Sequence, residues 1–170
     1  MTHGTDTLTR PPARLRTLVA AGLLAAVPAM PAAALASAPT TEERAKRGGD
    51  VVRSLNNGQP QPTLERMREE FPFLAEATEA YALGDVWSRP GLDTRTRQLA
   101  AVAAFAAIGE PAFMKIHAGY ALNAGVSEDE LKEIVYMVTV PAGFPRAITA
   151  ARTLSELFAE RGPAAEGGTP

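Results

Sequence analysis

The chain has 170 residues, 46% of them hydrophobic and 21% charged, with a formal net charge of −2, which fits one soluble globular domain with a genuine core. No run of Lys or Arg interleaved with aromatics occurs, which sets aside nucleic acid as a partner. Cysteine is absent, and with it disulfides, thiolate nucleophiles and thiolate metal sites.

Residues 1–36 read as a cleaved signal peptide. Arg10, Arg14 and Arg16 lead into the apolar run TLVAAGLLAAV, and PAMPAAALASA offers small residues for cleavage after Ala36. The run is shorter than the roughly 20 residues that span a bilayer, so the mature form is expected off the membrane. No Arg-Arg pair is present, which favours the general secretory route and an exported, periplasmic or secreted, protein.

Beyond that point the hydrophobic period is helical and never switches to two, which predicts an all-α chain. TTEERAKRGGDVVRSLNNG opens the series, with Thr41 as N-cap, Asn57-Gly58 as stop and Gly48-Gly49 weakening its middle. The linker QPQPT closes an N-terminal extension assigned to residues 37–62. TLERMREEF follows, and Pro72 begins PFLAEATEAYALGDVW, in which Phe73, Ala77, Ala80 and Leu83 recur on one helical face.

The turn SRPGLD leads into the central unit, residues 93–161. Asp93 caps an alanine-rich helix that Gly109 stops, and Ala100, Ala103, Ala104 and Ala107 give it a face of little bulk. Pro111 starts a second helix ended by Gly125. Ser127 and Glu130 form a capping box for a third, running to Val140, and Pro145 opens a fourth that ends at Gly162. Four helices with loops of 2 to 5 residues predict a compact antiparallel bundle. The domain is placed at residues 63–162, with residues 163–170 as a disordered tail.

The order of motifs carries a resemblance. RPGLDTRTR, then His117 spaced through Asn123-Ala124-Gly125-Val126 to Glu130 and Glu133, then Gly143-Phe144-Pro145, is similar to the carboxymuconolactone decarboxylase family of the alkylhydroperoxidase-like superfamily, over about residues 71–161. The resemblance implies an all-helical fold that assembles into homotrimers or homohexamers, with the site at the bundle core and subunit boundary. It also implies a decarboxylase, or a related lyase or isomerase, acting on a small organic acid or lactone without a cofactor. Three positions depart from the pattern. The Cys-x-x-Cys of the peroxidase branch is replaced by Glu110 and Phe113, which excludes thiol peroxidase chemistry; Gln98 stands where a glutamate is usual, and Pro141 where tyrosine is. These changes and the signal peptide keep a second class open, a non-catalytic oligomeric binding or scaffold protein with the family fold.

His117 is the one histidine outside the expected signal peptide, since the other is His3. Helical spacing places it on a face with Phe113, Tyr120, Ala121 and Ala124. By periodicity alone it is a core imidazole bonded to a backbone carbonyl. By the resemblance it occupies the position of the family's active-site histidine, and its ordinary pKa of about 6.5 suits proton transfer near neutrality. Decarboxylation to a delocalised anion needs an apolar wall, a donor for the developing oxyanion and one general acid. His117 is the candidate acid, and Tyr120 or Gln98 a candidate donor. Arg97 either orients a substrate carboxylate or pairs with Asp93 one turn away. Glu133 either pairs with His117 across the bundle or faces solvent, and Glu130 caps its helix. Phe113 and Phe144 complete the candidate substrate-binding set. No metal ligand set and no phosphate or nucleotide motif is recognisable.

Overall fold

Caps and prolines divide the chain into helices, and the computed structural model describes this for residues 37–162. The expected signal peptide and the expected tail lie outside the described residues. In order come α1 (Thr41–Leu55), α2 (Pro62–Glu70), α3 (Pro72–Ala77) running on as a π-helical stretch (Thr78–Trp87), α4 (Thr94–Ile108), α5 (Pro111–Asn123), α6 (Glu128–Ala142) and α7 (Phe144–Arg161). Among the described residues there is no strand.

The caps follow side-chain chemistry. Asp93 accepts from the Thr96 amide at the start of α4, and Ser127 and Glu130 close a reciprocal capping box on α6. Gly109 ends α4 in the left-handed region, at φ 81°. On α1 the cap is Thr40, not Thr41. The reason is the third helical position: counted from Thr40 it is Glu43, whose carboxylate returns to the Thr40 amide, whereas from Thr41 it is Arg44.

Gly48, expected to weaken α1, instead lets it dock. A side chain there would strike the Glu79 carbonyl of the π-helical stretch, and one at Gly84 would strike the Arg44 carbonyl of α1. The two glycines allow a reciprocal close approach of backbones, which the 2.8 Å ion pair between Arg44 and Asp85 pins. The winding beyond Ala77 is π and not α. The Ser88 amide bonds to the Leu83 carbonyl five residues back, as a π-turn does, and the buried residues are Ala75, Ala80 and Gly84. Phe73 and Ala77, assigned to the inner face by α-helical spacing, are exposed.

Helices α4 to α7 enclose the main core, in which Val102, Met114, Leu131 and Val138 are essentially inaccessible. Each such side chain contributes roughly 1.5–3 kcal/mol. A smaller cluster, Val52, Leu64 and Ala75 with Met67 and Leu83 at its edge, lies under α1 to α3. The Asn123 amide on α5 donates to the Leu55 carbonyl at the end of α1 and its oxygen accepts from Arg161 on α7, both at 2.9 Å. The segment that composition set apart as an extension is thereby tied to the C-terminal ends of α5 and α7.

Helix α5 serves both clusters. Met114, Ala118 and Ala121 face the bundle core, while Phe113, Ile116, His117 and Tyr120 face the cavity beneath α1 to α3. The single face that spacing drew through Phe113, His117, Tyr120, Ala121 and Ala124 is thus two adjacent faces. On α4, Ala100 and Ala104 are exposed and Ala103 and Ala107 half-buried.

Candidate active site

The imidazole of His117 is held by aromatic rings and by one carboxamide. Phe105 of α4 stacks on it with centroids 5.1 Å apart, Trp87 lies tilted at 5.2 Å, and Tyr120 presents an edge at 5.8 Å. Nδ1 is 2.8 Å from Oε1 of Gln98, a side chain with no solvent exposure. A carboxamide oxygen only accepts, so in this arrangement Nδ1–H donates and the lone pair resides on Nε2, the nitrogen left for a ligand.

Burial pushes the His117 pKa down to about 4, with no charge opposing it. The imidazole is therefore neutral at pH 7. A glutamate at position 98 would favour the imidazolium; Gln98 fixes the ring's orientation and contributes no charge. Burial likewise raises the phenol of Tyr120, and the nearby Gln61 works against that rise. The Trp87 indole N–H and Gln98 Nε2 are buried without a hydrogen-bond partner, and the buried Tyr120 hydroxyl makes no hydrogen bond of good geometry although the Gln61 side chain stands near it. Donors left so are unusual in a folded chain and concentrate here around one ring.

His117 and Tyr120 open onto a cavity of about 280 Å³. Its apolar walls include Val52, Leu64, Met67, Leu74 and Leu83, and its remaining polar groups are Gln61, Thr63 and Thr78. Phe113, half exposed, lines it and stacks on Phe105 at 5.5 Å. Gln98 is not among the walls and holds the imidazole from behind.

The other sequence candidates stand elsewhere. Arg97 lines a separate cavity of about 260 Å³ beside Trp87 and Gln98. Its guanidinium donates to the carbonyls of Arg89 at 2.5 Å, Leu92 at 3.3 Å and Val86 at 3.4 Å. It holds the turn before α4, and it neither reaches the His117 cavity nor pairs with Asp93, whose carboxylate is taken by Thr96. Glu133 is exposed on α6 without a partner, so the pairing with His117 does not form. Glu130 caps α6 and pairs with Arg95. Phe144 is 70% exposed at the start of α7, away from the cavity. Among the described residues no group of three or more His, Asp or Glu is placed to hold a metal ion, and no helix is long and apolar enough to cross a membrane.

Sequence reasoning missed Trp87, Phe105, Gln61, Thr63 and Thr78. The first carried a signal, being the chain's one tryptophan at the end of an apolar segment. Gln61 and Thr63 sit in a Pro-rich linker, Thr78 within a helical segment, and none of the three carried a signal.

Residues 72–156 match the carboxymuconolactone decarboxylase family. The chain is 32% identical over 126 residues to 4-carboxymuconolactone decarboxylase of Acinetobacter baylyi, covering 74% of this chain and 94% of that protein. It is 36% identical over 89 residues to nitrosuccinic acid decarboxylase of Metarhizium robertsii, covering 49% of this chain and 61% of the relative. An uncharacterised protein of Methanocaldococcus jannaschii is 26% identical over 102 residues, with 60% and 94% covered. With Gln98, Phe105, His117 and Tyr120 inside the matched span of an all-helical chain, this protein belongs to the carboxymuconolactone decarboxylase family.

Proposed function

We propose that the protein is a decarboxylase of a small organic acid and that His117 is its proton carrier. The observation that carries the reading is a neutral imidazole with one free nitrogen, set in a largely apolar cavity beside an unpartnered phenol. The two relatives named as decarboxylases support the reaction class.

The steps follow from the groups present. A carboxylate entering the cavity loses water, which raises its energy relative to the uncharged carbon dioxide it becomes. It also makes protonation of Nε2 favourable, so a proton is taken up with the acid. As the carbon–carboxylate bond breaks, its electron pair passes into a conjugated carbonyl of the substrate, whose oxygen accepts from Tyr120 Oη–H. Nε2–H then delivers its proton to the carbon, and His117 returns to neutrality. One carboxylate and one proton are consumed; carbon dioxide and a C–H bond are formed. Gln98 acts by positioning, keeping the Nδ1 proton in place throughout.

The test is carbon dioxide release by the purified mature protein from a panel of unsaturated and lactone acids, with His117→Gln alongside. Turnover should fall by roughly 10²- to 10⁴-fold in the variant. Unchanged turnover per folded molecule would end the proton-carrier role, and no release from any acid would favour the binding-protein reading.

Export remains part of the proposal. The Arg-flanked apolar run and Ala-Leu-Ala support cleavage after Ala36, and N-terminal sequencing of the protein recovered outside the cytoplasm should begin at Ser37. Intact Met1 or Thr2 on cytoplasmic protein would refute it.

A further inference from the structure

The cavity of about 260 Å³ beside Trp87 and Gln98 is walled by the end of α1, the turn after the π-helical stretch and the start of α4. Two buried N–H donors that lack a partner, Trp87 Nε1 and Gln98 Nε2, belong to side chains that line this cavity and not the His117 cavity. Gln98 has no solvent exposure, and its oxygen is taken by His117 Nδ1, so the Nε2 protons are what it has to offer a ligand. A buried donor without an acceptor is costly, and two around one space call for an acceptor there. Charge agrees with this. The walls hold Arg89 and Arg97 against one acid, Asp93. Both Asp93 oxygens are occupied by Thr96, while Arg97 spends its donors on neutral carbonyls and keeps its charge uncancelled. Val51, Leu55, Pro90 and Leu92 supply apolar wall. None of the walls belongs to α6 or α7, the helices that carry the exposed Tyr136, Val140 and Phe144.

We infer that this cavity is a second binding site, for a small carboxylate with a short apolar body, whose oxygens accept from Gln98 Nε2–H and Trp87 Nε1–H beside the Arg97 guanidinium. Two N–H donors and a cation suit a planar anion with two oxygens. The apolar walls suit a carbon tail, which an inorganic anion lacks. Gln98 and Trp87 stand between this site and the imidazole: Gln98 Oε1 is 2.8 Å from His117 Nδ1, and the Trp87 and His117 rings are 5.2 Å apart. An occupant is thereby one side chain removed from His117. The site stands whether or not the His117 cavity decarboxylates an acid, and its test reads binding alone.

The test is a titration of the purified protein, in whatever assembly it forms, with butyrate, acetate, butyramide and inorganic phosphate at neutral pH and low ionic strength, followed by the indole N–H proton resonance. Trp87 is the only tryptophan, so that resonance is single and reports the donor itself. Butyrate should move it downfield, saturating at one per chain. Acetate should bind more weakly, by up to about fourfold for each methylene lost, and butyramide and phosphate about 10-fold more weakly than butyrate. Gln98→Glu, which puts a carboxylate in place of the donor, should weaken butyrate binding by about 100-fold or more. Should that variant fail to fold, Trp87→Phe followed by calorimetry takes its place, with a loss of about 10-fold. His117→Gln should bind butyrate as the parent does, which separates this site from the His117 cavity. An indole resonance that butyrate leaves in place, butyramide or phosphate binding as tightly as butyrate, or binding lost in His117→Gln and kept in Gln98→Glu or Trp87→Phe would each overturn the inference. A resonance already far downfield and unmoved by butyrate would assign the cavity to a group from a neighbouring copy, and would overturn it too.

Discussion

Gln98 Oε1 accepts from His117 Nδ1 at 2.8 Å, a neutral pair that orients the imidazole while burial keeps it uncharged. Replacing Gln98 by Glu places a carboxylate where the carboxamide now is. An adjacent anion favours the imidazolium, so the His117 pKa should rise from about 4, and any acid-limb in the rate profile should move to higher pH with it. Trp87 lies 5.2 Å away, so the pH dependence of its fluorescence reads the shift directly. An unmoved titration in Gln98→Glu would show that a side chain at position 98 does not act on the histidine's charge.

The same histidine makes the fold acid-sensitive. Its pKa is near 6.5 in the unfolded chain and about 4 when folded, so between those values the unfolded state binds more protons. Stability from this group is fully present above about pH 6.5 and is lost as pH falls towards 4, by up to about 3 kcal/mol. Denaturant unfolding at pH 7, 5.5 and 4.5 should show the loss, and His117→Gln should flatten the slope across that window. The comparison with the variant removes the contribution of carboxylates such as Asp93, which hydrogen bonds to Thr96 hold below the usual range and which is lost at lower pH.

Gly48→Ala and Gly84→Ala should each destabilise the protein by about 1–3 kcal/mol, because a methyl group meets backbone rather than a movable side chain. Both changes push α1 away from the π-helical stretch, and Val52 of α1 is a cavity wall, so ligand affinity should fall as well. Gly49→Ala is the control: its neighbour there is the flexible end of Arg53, and its stability should match or exceed the parent's. Equal effects at Gly48 and Gly49 would mean that the close approach is not what holds α1.

Tyr136, Met137, Val140, Phe144 and Ile148 are all more than half exposed around the α6–α7 junction. Apolar side chains grouped so are best accounted for by contact with further copies of the chain, and we propose a homotrimer or homohexamer. Light scattering at micromolar concentration should give that mass, and Val140→Asp with Phe144→Asp should reduce it to the monomer without unfolding. A monomeric parent protein would rule the assembly out.

How much of this was legible in the sequence depended on the range of the interactions. Asp93, Ser127 with Glu130, Gly109 and Gly125 act on backbone within a few residues, so the helices from α4 to α7 could be placed from the residues alone, to within one or two at their ends. The absence of cysteine and the order of motifs around His117 were also local facts, and they determined the family and the chemistry it lacks. Whether Gly48 breaks α1 or docks it could not be read locally, because the Glu79 carbonyl that answers the question is brought there by packing. Phe73 and Ala77 have the spacing of an inner face, yet they stand on α3, before the π-helical stretch against which α1 packs, and are exposed. Arg97 and Glu133 carry the right charges for a site, yet a side chain's partners are set by the elements packed around it: one is spent on turn carbonyls and the other faces water. The cavity itself, which joins the Pro-rich segment at Gln61 and Thr63 to an imidazole more than fifty residues away, exists only because the tertiary structure folds α1 and α2 over α5.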